Sequence, residues 1–117
     1  MFIALVITTA LLALVAVNSA VMKLRKNEQV LTVIHGTVGV PLRQLPVLAG
    51  LEIAGAAGIL IGLWLQPLGI AAAIGLVAYF VGALIGHVRV GDTKGAAAPV
   101  VPLVLAIAVL VLRLLTV

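Results

Sequence analysis

The sequence predicts an all-α integral membrane protein, a bundle of four transmembrane helices in a single domain that covers residues 1–117. Two observations lead to this prediction. First, 65% of the residues are hydrophobic and only 9% are charged, with a mean hydropathy of +1.44. Soluble domains carry about a quarter charged residues, so this chain lacks the polar groups that a water-exposed surface needs. Second, the apolar residues fall into four segments, each close to the ~20 residues with which a helix crosses a bilayer.

The four predicted helices follow one another along the chain. They cover approximately residues 2–22, 46–65, 68–90 and 100–117. A bilayer offers no water to backbone groups, so we expect helices despite the many Val and Ile residues. Gln66-Pro67 alone is expected to join the second and third helices as a tight hairpin, and Pro99 is expected to open the fourth helix.

Basic residues predict the orientation of the bundle. Four of them follow the first helix and two lie at or after the end of the third: Lys23, Arg25, Lys26, Arg43, Arg89 and Lys94. The opposite side has only Arg113 and the chain termini. The positive-inside rule then places both basic loops in the cytoplasm and both termini outside, with the chain in the bacterial inner (plasma) membrane. Because the net charge of +4 is dispersed among apolar segments, we expect a lipid bilayer and not nucleic acid as its partner.

Cysteine is absent, which excludes disulfides, thiolate nucleophiles, Cys-ligated zinc and iron–sulfur clusters. We also expect no metal site, because His35 and His87 lack a spaced set of further ligands.

Glu52 is the most informative polar residue, because a carboxylate in the middle of an apolar helix is costly. It lies roughly 9 Å from the predicted cytoplasmic end of the second helix, at 1.5 Å per residue. The sequence places His87 at a similar or slightly shallower level of the third helix, and Asn18, Ser19 and Lys23 near the same end of the first. We therefore expect a polar layer near the cytoplasmic face.

Glu52 and His87 are the candidate catalytic residues of this layer. Glu52 is either a proton acceptor and donor or the partner of Arg89 or Lys23 in an ion pair that fixes helix register. His87 shares one helix face with Tyr79 and either contacts a ligand or only packs. The candidate ligand-binding residues are Tyr79, Arg89, Lys23, Asn18 and Asp92.

Small residues recur every four positions in two helices and predict close packing between them. In the second helix these are Ala54, Gly58 and Gly62, and in the third Ala78, Gly82 and Gly86.

Five short motifs resemble the DoxX-like family of small four-helix membrane proteins, in order and over nearly the whole chain. They are NSAVMK (18–23), GVPL (39–42), LEIAGAAGIL (51–60), QPLG (66–69) and GALIGHVRVGD (82–92). The resemblance implies a link to membrane oxidoreductases, because some relatives resemble the membrane subunit of a thiosulfate:quinone oxidoreductase and others are tied to oxidative-stress handling with soluble redox partners. The polar positions that the resemblance implies for the site of this chain are Lys23, Glu52, His87, Arg89 and Asp92. The absence of cysteine argues against a direct sulfur relay.

Three functions stay open at this point. The first is a component of a membrane oxidoreductase that binds a quinone or similar apolar ligand, with a soluble or membrane redox partner. There, His87 or Tyr79 would bind a carbonyl oxygen, Glu52 would exchange the proton, and Arg89 with Lys23 would attract an anionic substrate. The second is a proton-coupled small-molecule transporter, and the third is a structural or assembly subunit without catalysis. Whether the chain is an enzyme, and whether it forms a homo-oligomer, the sequence leaves open.

Overall fold

The computed structural model describes residues 2–25, 39, 42–92 and 97–116, and all regular structure in these ranges is helical. Four α-helices are present there: α1 (Phe2–Leu24), α2 (Leu45–Ile61), α3 (Gln66–Arg89) and α4 (Ala97–Leu115). A short 3-10 helix, Leu42–Gln44, leads directly into α2. The predicted all-α bundle of four helices is confirmed.

Three of the helices, α1, α3 and α4, are long and apolar enough to cross a membrane, with mean hydropathies of 2.3, 2.4 and 2.6. The fourth, α2, is equally apolar in character but has only 17 residues. At 1.5 Å per residue it extends about 26 Å, less than the ~30 Å hydrocarbon core. The length of the helices therefore supports three of the four predicted spans, and α2 lies beside α1 and α3 as a shorter member of the bundle.

The helix boundaries differ from the predicted ones mainly at the hairpin between α2 and α3. The turn consists of residues 62–65, whereas Gln66 and Pro67 belong to the first turn of α3. Proline fits the first turn of a helix because the N–H that it lacks has no helical partner there. Pro99 likewise lies in the first turn of α4, which begins at Ala97. The first helix extends beyond residue 22 to Leu24.

The four helices form a ring in which each packs against its two neighbours, α1 on α2, α2 on α3, α3 on α4 and α4 on α1. Each helix buries residues three or four apart on one face, as an α-helix with a single inward stripe does. The core contains Leu5, Leu12, Ala16, Ile59, Ala73, Leu76, Phe80, Ala106 and Val109. Large apolar side chains such as Ile3, Leu14 and Val101 are exposed, as expected for a surface that faces lipid.

Glycine brings α2 and α3 close together at the hairpin end. A Cβ built on Gly58 would lie 2.6 Å from the Cβ of Ala72, and one on Gly62 would collide with the backbone of Gly69. Real Cβ atoms do not approach so closely, so both positions require glycine. The expected role of Gly58 and Gly62 is thus seen in the structure.

The contact surface of α3 differs from the expected stripe of Ala78, Gly82 and Gly86. Gly82 is exposed and has no neighbour within 4 Å of a Cβ built on it. The residues of α3 that meet α2 are Gly69, Ala72 and Leu76, one face further round the helix. The four-residue spacing of small residues did not identify this face, because the contact uses positions 69, 72 and 76, the last of which is leucine.

We expect Gly58→Ala to destabilise the protein by about 1–3 kcal/mol, because the added methyl overpacks the contact with Ala72. Gly82→Ala is the matched control, and we expect it to be neutral or stabilising by up to about 1 kcal/mol through helix propensity. Thermal unfolding in detergent, followed by circular dichroism, measures both. Equal melting temperatures for the two variants would contradict the assigned packing of α2 on α3.

Candidate functional site at the buried Glu52

Glu52 lies on the inner face of α2, in register with the buried Leu45, Ala49, Ala56 and Ile59. Its side chain is 0% exposed. The helical repeat of 3.6 residues gives this result, since positions 45, 49, 52, 56 and 59 follow one stripe. A carboxylate at such a position is compatible with a folded bundle only if other groups bind it.

Lys23 supplies the opposite charge. Its Nζ lies 2.6 Å from Oε1 of Glu52, and both side chains are buried. Ser19, one helical turn earlier in α1, accepts a hydrogen bond from Lys23 Nζ at 2.7 Å and donates one to Glu52 Oε1 at 3.3 Å. Lys23, in the last turn of α1, thus points into the bundle.

Tyr79 binds the same carboxylate from α3. Its hydroxyl donates a hydrogen bond to Oε1 of Glu52 at 2.9 Å. The Nζ of Lys23 is 6.0 Å from the centre of the tyrosine ring, a distance at which a cation is attracted to the ring face. The tyrosine ring also packs edge-to-face on Phe80, with 5.1 Å between the ring centres. We refer to Ser19, Lys23, Glu52 and Tyr79 as the Glu52 network.

The two carboxylate oxygens of Glu52 are not equivalent. Oε1 receives the hydrogen bonds of Ser19, Lys23 and Tyr79. Oε2 is buried and has no hydrogen-bond partner among the described residues. A buried acceptor without a partner costs free energy. Oε2 therefore keeps unused capacity to accept a hydrogen bond, whereas Oε1 is the oxygen that Tyr79 contacts.

A groove of about 590 Å³ runs along the outer side of the α2–α3 contact. Its lining is almost entirely alanine, glycine and leucine: Leu51, Ala54, Gly55, Gly58, Leu68, Ala71, Ala72, Gly75, Leu76 and Ala78, with Tyr79 as the one polar residue. Leu51, Leu68 and Gly75 are exposed, so the groove opens on the lipid-facing surface. Tyr79 thus belongs both to the groove wall and to the Glu52 network.

His87 and Asp92 form a separate pair at the C-terminus of α3. The N–H of Asp92 donates to the carbonyl of His87 at 2.9 Å, and that of Gly91 donates to the carbonyl of Val88 at 3.0 Å. This is a Schellman cap, and Gly91 has the positive φ of 76° that it needs. The cap turns Asp92 back, so that its Oδ2 lies 2.8 Å from Nδ1 of the buried His87.

The sequence predicts His87 at a similar or slightly shallower level than Glu52, but the residue of α3 that contacts Glu52 is Tyr79. His87 lies eight residues further along α3, which is about 12 Å along the helix axis. The two candidate catalytic residues therefore do not form one site, and no hydrogen bond links them in the described part of the chain.

Asn18 and Arg89, two further candidate residues, make no hydrogen bond to Glu52 in the described part of the chain. Asn18 is exposed and its Nδ2 donates to Met22 Sδ at 3.8 Å, so it does not contact Glu52. Arg89 is exposed at the end of α3. His35 lies outside the described residues, within which no group of three His, Asp or Glu side chains is placed to hold a metal ion.

Two further polar residues, the partly buried Ser19 and the buried Arg113, were not among the candidate catalytic and ligand-binding residues. Ser19 is the residue of the NSAVMK motif that reaches Glu52, and its position four residues before Lys23 is the signal that could have identified it. Arg113 is buried in the last turn of α4. It is the only charged residue in the fourth apolar segment, and that isolation is the signal that could have identified it.

We expect Lys23→Met to destabilise the protein by about 3 kcal/mol or more, because it leaves a buried carboxylate without its counter-charge. Adding Glu52→Gln should restore much of the loss, since the double variant buries no charge. Arg25→Met, two positions on and exposed, is the control and should be near neutral. Unfolding temperatures of the four variants, Glu52→Gln alone included, give the coupling energy. Additive effects would contradict a stabilising ion pair between these side chains.

Comparison with known proteins agrees with this architecture. No curated protein and no solved structure matches the chain significantly. The sequence profile of the DoxX-like family, however, matches residues 7–109, which include most of α1, all of α2 and α3, and most of α4, and hence the complete Glu52 network. The match covers well over half of the chain, and this membrane protein belongs to the DoxX-like family.

Proposed function

We propose that this protein binds a quinone or a similar flat apolar molecule in the groove between α2 and α3, as a component of a membrane oxidoreductase system. The observation that supports the proposal is that Tyr79 belongs both to the groove and to the Glu52 network. Tyr79 is one of the residues that line a lipid-facing groove, and its hydroxyl is hydrogen bonded to the buried carboxylate of Glu52. A ligand that enters from the bilayer can thus reach a titratable group.

The groove has suitable dimensions and chemistry for such a ligand. Its volume of about 590 Å³ falls within the ~300–1,000 Å³ of typical small-molecule sites. Alanine and glycine leave a smooth apolar surface against which a flat ring or an isoprenoid chain can pack. One polar group in an apolar wall fixes the orientation of a ligand without a large desolvation cost.

The direction of the Tyr79 hydrogen bond favours the reduced, hydroxyl-bearing form of the ligand. The hydroxyl of Tyr79 already donates to Glu52, so its oxygen is left to accept a hydrogen bond. A quinol hydroxyl can donate to that oxygen, whereas a quinone carbonyl would have to draw the tyrosine proton away from Glu52. As the ligand passes its proton to Tyr79, Tyr79 passes its own to Glu52.

Lys23 and Ser19 then hold the carboxyl group in place while it exchanges the proton. The electrons of such a ligand would pass to a partner protein, since the chain has no cysteine for thiol redox chemistry. Lys23 is engaged within the network and is not available to attract a substrate, so this role, if needed, falls to the exposed Arg89.

A purely structural role is the second candidate, and the Lys23–Glu52 ion pair favours it. This pair joins α1 to α2 through two buried charges, and Tyr79 adds α3. The two functions differ in what the tyrosine hydroxyl does: a ligand site needs it for binding, whereas a structural network loses only one hydrogen bond without it.

The test is native mass spectrometry of the detergent-purified protein with extraction and identification of bound small molecules. We expect wild type to carry a quinol or another apolar hydroxyl compound, and Tyr79→Phe and Glu52→Gln to retain roughly tenfold less. A hydrogen bond of about 1.4 kcal/mol corresponds to that factor. Thr8→Val, which removes an exposed hydroxyl bonded within α1, is the control and should retain the ligand.

Melting temperatures of the same preparations distinguish the two candidates. Ligand loss in Tyr79→Phe with little change in melting temperature supports binding. If wild type carries no such molecule, binds no added quinol, and loses stability in Glu52→Gln, the network is structural and the proposal is wrong.

A further inference from the structure

Arg113 is a buried cation without a counter-charge among the residues that the structure describes. It lies in the last turn of α4 and its side chain is 7% exposed. Its guanidinium packs over α3, since a Cβ built on Gly69 would lie 2.7 Å from Nε and 3.0 Å from one terminal nitrogen. No hydrogen bond or ion pair to Arg113 is present within the described ranges. A buried charge left in this way is costly unless an anion binds it.

The first turn of α3 lies directly against this guanidinium, and some of its backbone N–H groups lack hydrogen-bond acceptors. The N-cap residue Leu65 makes no side-chain hydrogen bond to the helix. The N–H of Gly69 is bonded to the carbonyl of Leu65, and Pro67 has no N–H. The N–H groups of Gln66 and Leu68 are the orphan donors of this first turn. They stand at the positive end of the dipole of a helix of 24 residues.

We propose that Arg113 and the first turn of α3 form a binding site for a phosphate group that carries net negative charge. The planar guanidinium can pair with two phosphate oxygens, and the first-turn N–H groups can donate to a third. Two sources supply this chemistry at a membrane surface: the headgroup of an anionic phospholipid, or free inorganic phosphate.

The site is independent of the Glu52 network. Gly69 precedes Tyr79 by ten residues of α3, which is about 15 Å along the helix axis. The inference therefore holds whether or not the groove binds a quinol.

Trp64 provides a built-in reporter. It is the only tryptophan of the chain, lies in the turn that leads into α3, and is 81% exposed. The protein is reconstituted in nanodiscs of phosphatidylcholine, with part of the lipid replaced either by brominated phosphatidylglycerol or by brominated phosphatidylcholine. Bromine quenches Trp64 in proportion to the occupancy of nearby sites. In a second arm, inorganic phosphate is titrated into nanodiscs of phosphatidylcholine alone, at constant ionic strength.

We expect brominated phosphatidylglycerol to bind near Trp64 at least about fivefold more strongly than brominated phosphatidylcholine, and Arg113→Gln to remove this preference, because the charge-assisted contacts are lost. Arg25→Gln, which removes an exposed arginine directly after the C-terminus of α1, should keep the preference. Saturable quenching or thermal stabilisation by inorganic phosphate, without a lipid preference, would instead identify free phosphate as the ligand.

Arg113→Lys retains the positive charge but lacks the planar guanidinium that pairs with two oxygens. It replaces Arg113→Gln in the test if that variant does not fold, and we expect it to weaken binding at least about threefold. The proposal is overturned if wild type shows neither a lipid preference nor a phosphate effect. It is equally overturned if either effect persists unchanged in both Arg113 variants.

Discussion

A carboxylate that is buried in a membrane bundle must be bound by other groups of the protein, and much of this structure follows from that constraint at Glu52. One oxygen of Glu52 receives hydrogen bonds from α1 and α3, so a single side chain on α2 sets the relative height of three helices. The glycine contacts add to this alignment only between α2 and α3, near the hairpin. The polar contacts are thus what makes one alignment of the helices better than its neighbours.

The same bundle is closed at one end and open on one side. Gly58, Gly62 and Gly69 draw α2 and α3 together near the hairpin, and the small residues that continue along α3 leave a groove on the lipid side. Close packing and ligand space therefore come from the same amino-acid type. Whether a glycine lies in the helix contact or in the groove wall depends on whether its face of the helix points towards the neighbouring helix or towards the lipid.

That dependence explains which features could be predicted from the sequence. Hydropathy was sufficient for the four helices and the membrane, and the isolated Glu52 indicated a polar centre together with Lys23. The choice of partners was harder, because neighbouring positions on a helix point about 100° apart. Asn18 and Ser19 are adjacent, yet only the serine faces Glu52, and on α3 the facing residue is Tyr79, two turns before His87. The capping role of Gly91 and Asp92 needed the positive φ of Gly91, which composition alone does not specify.

The shortness of α2 has a consequence for the surrounding bilayer. From its length, a helix of about 26 Å beside longer ones is expected to create a hydrophobic mismatch, which lipids relieve by thinning locally at a cost of fractions of a kcal/mol per Å. The thinning falls on the face that carries the groove and brings the headgroup region towards the turn that contains Trp64, a residue type suited to that interface. Membrane thickness thereby becomes a variable that acts on this protein: a thicker bilayer strains the α2 side, and a thinner one relaxes it.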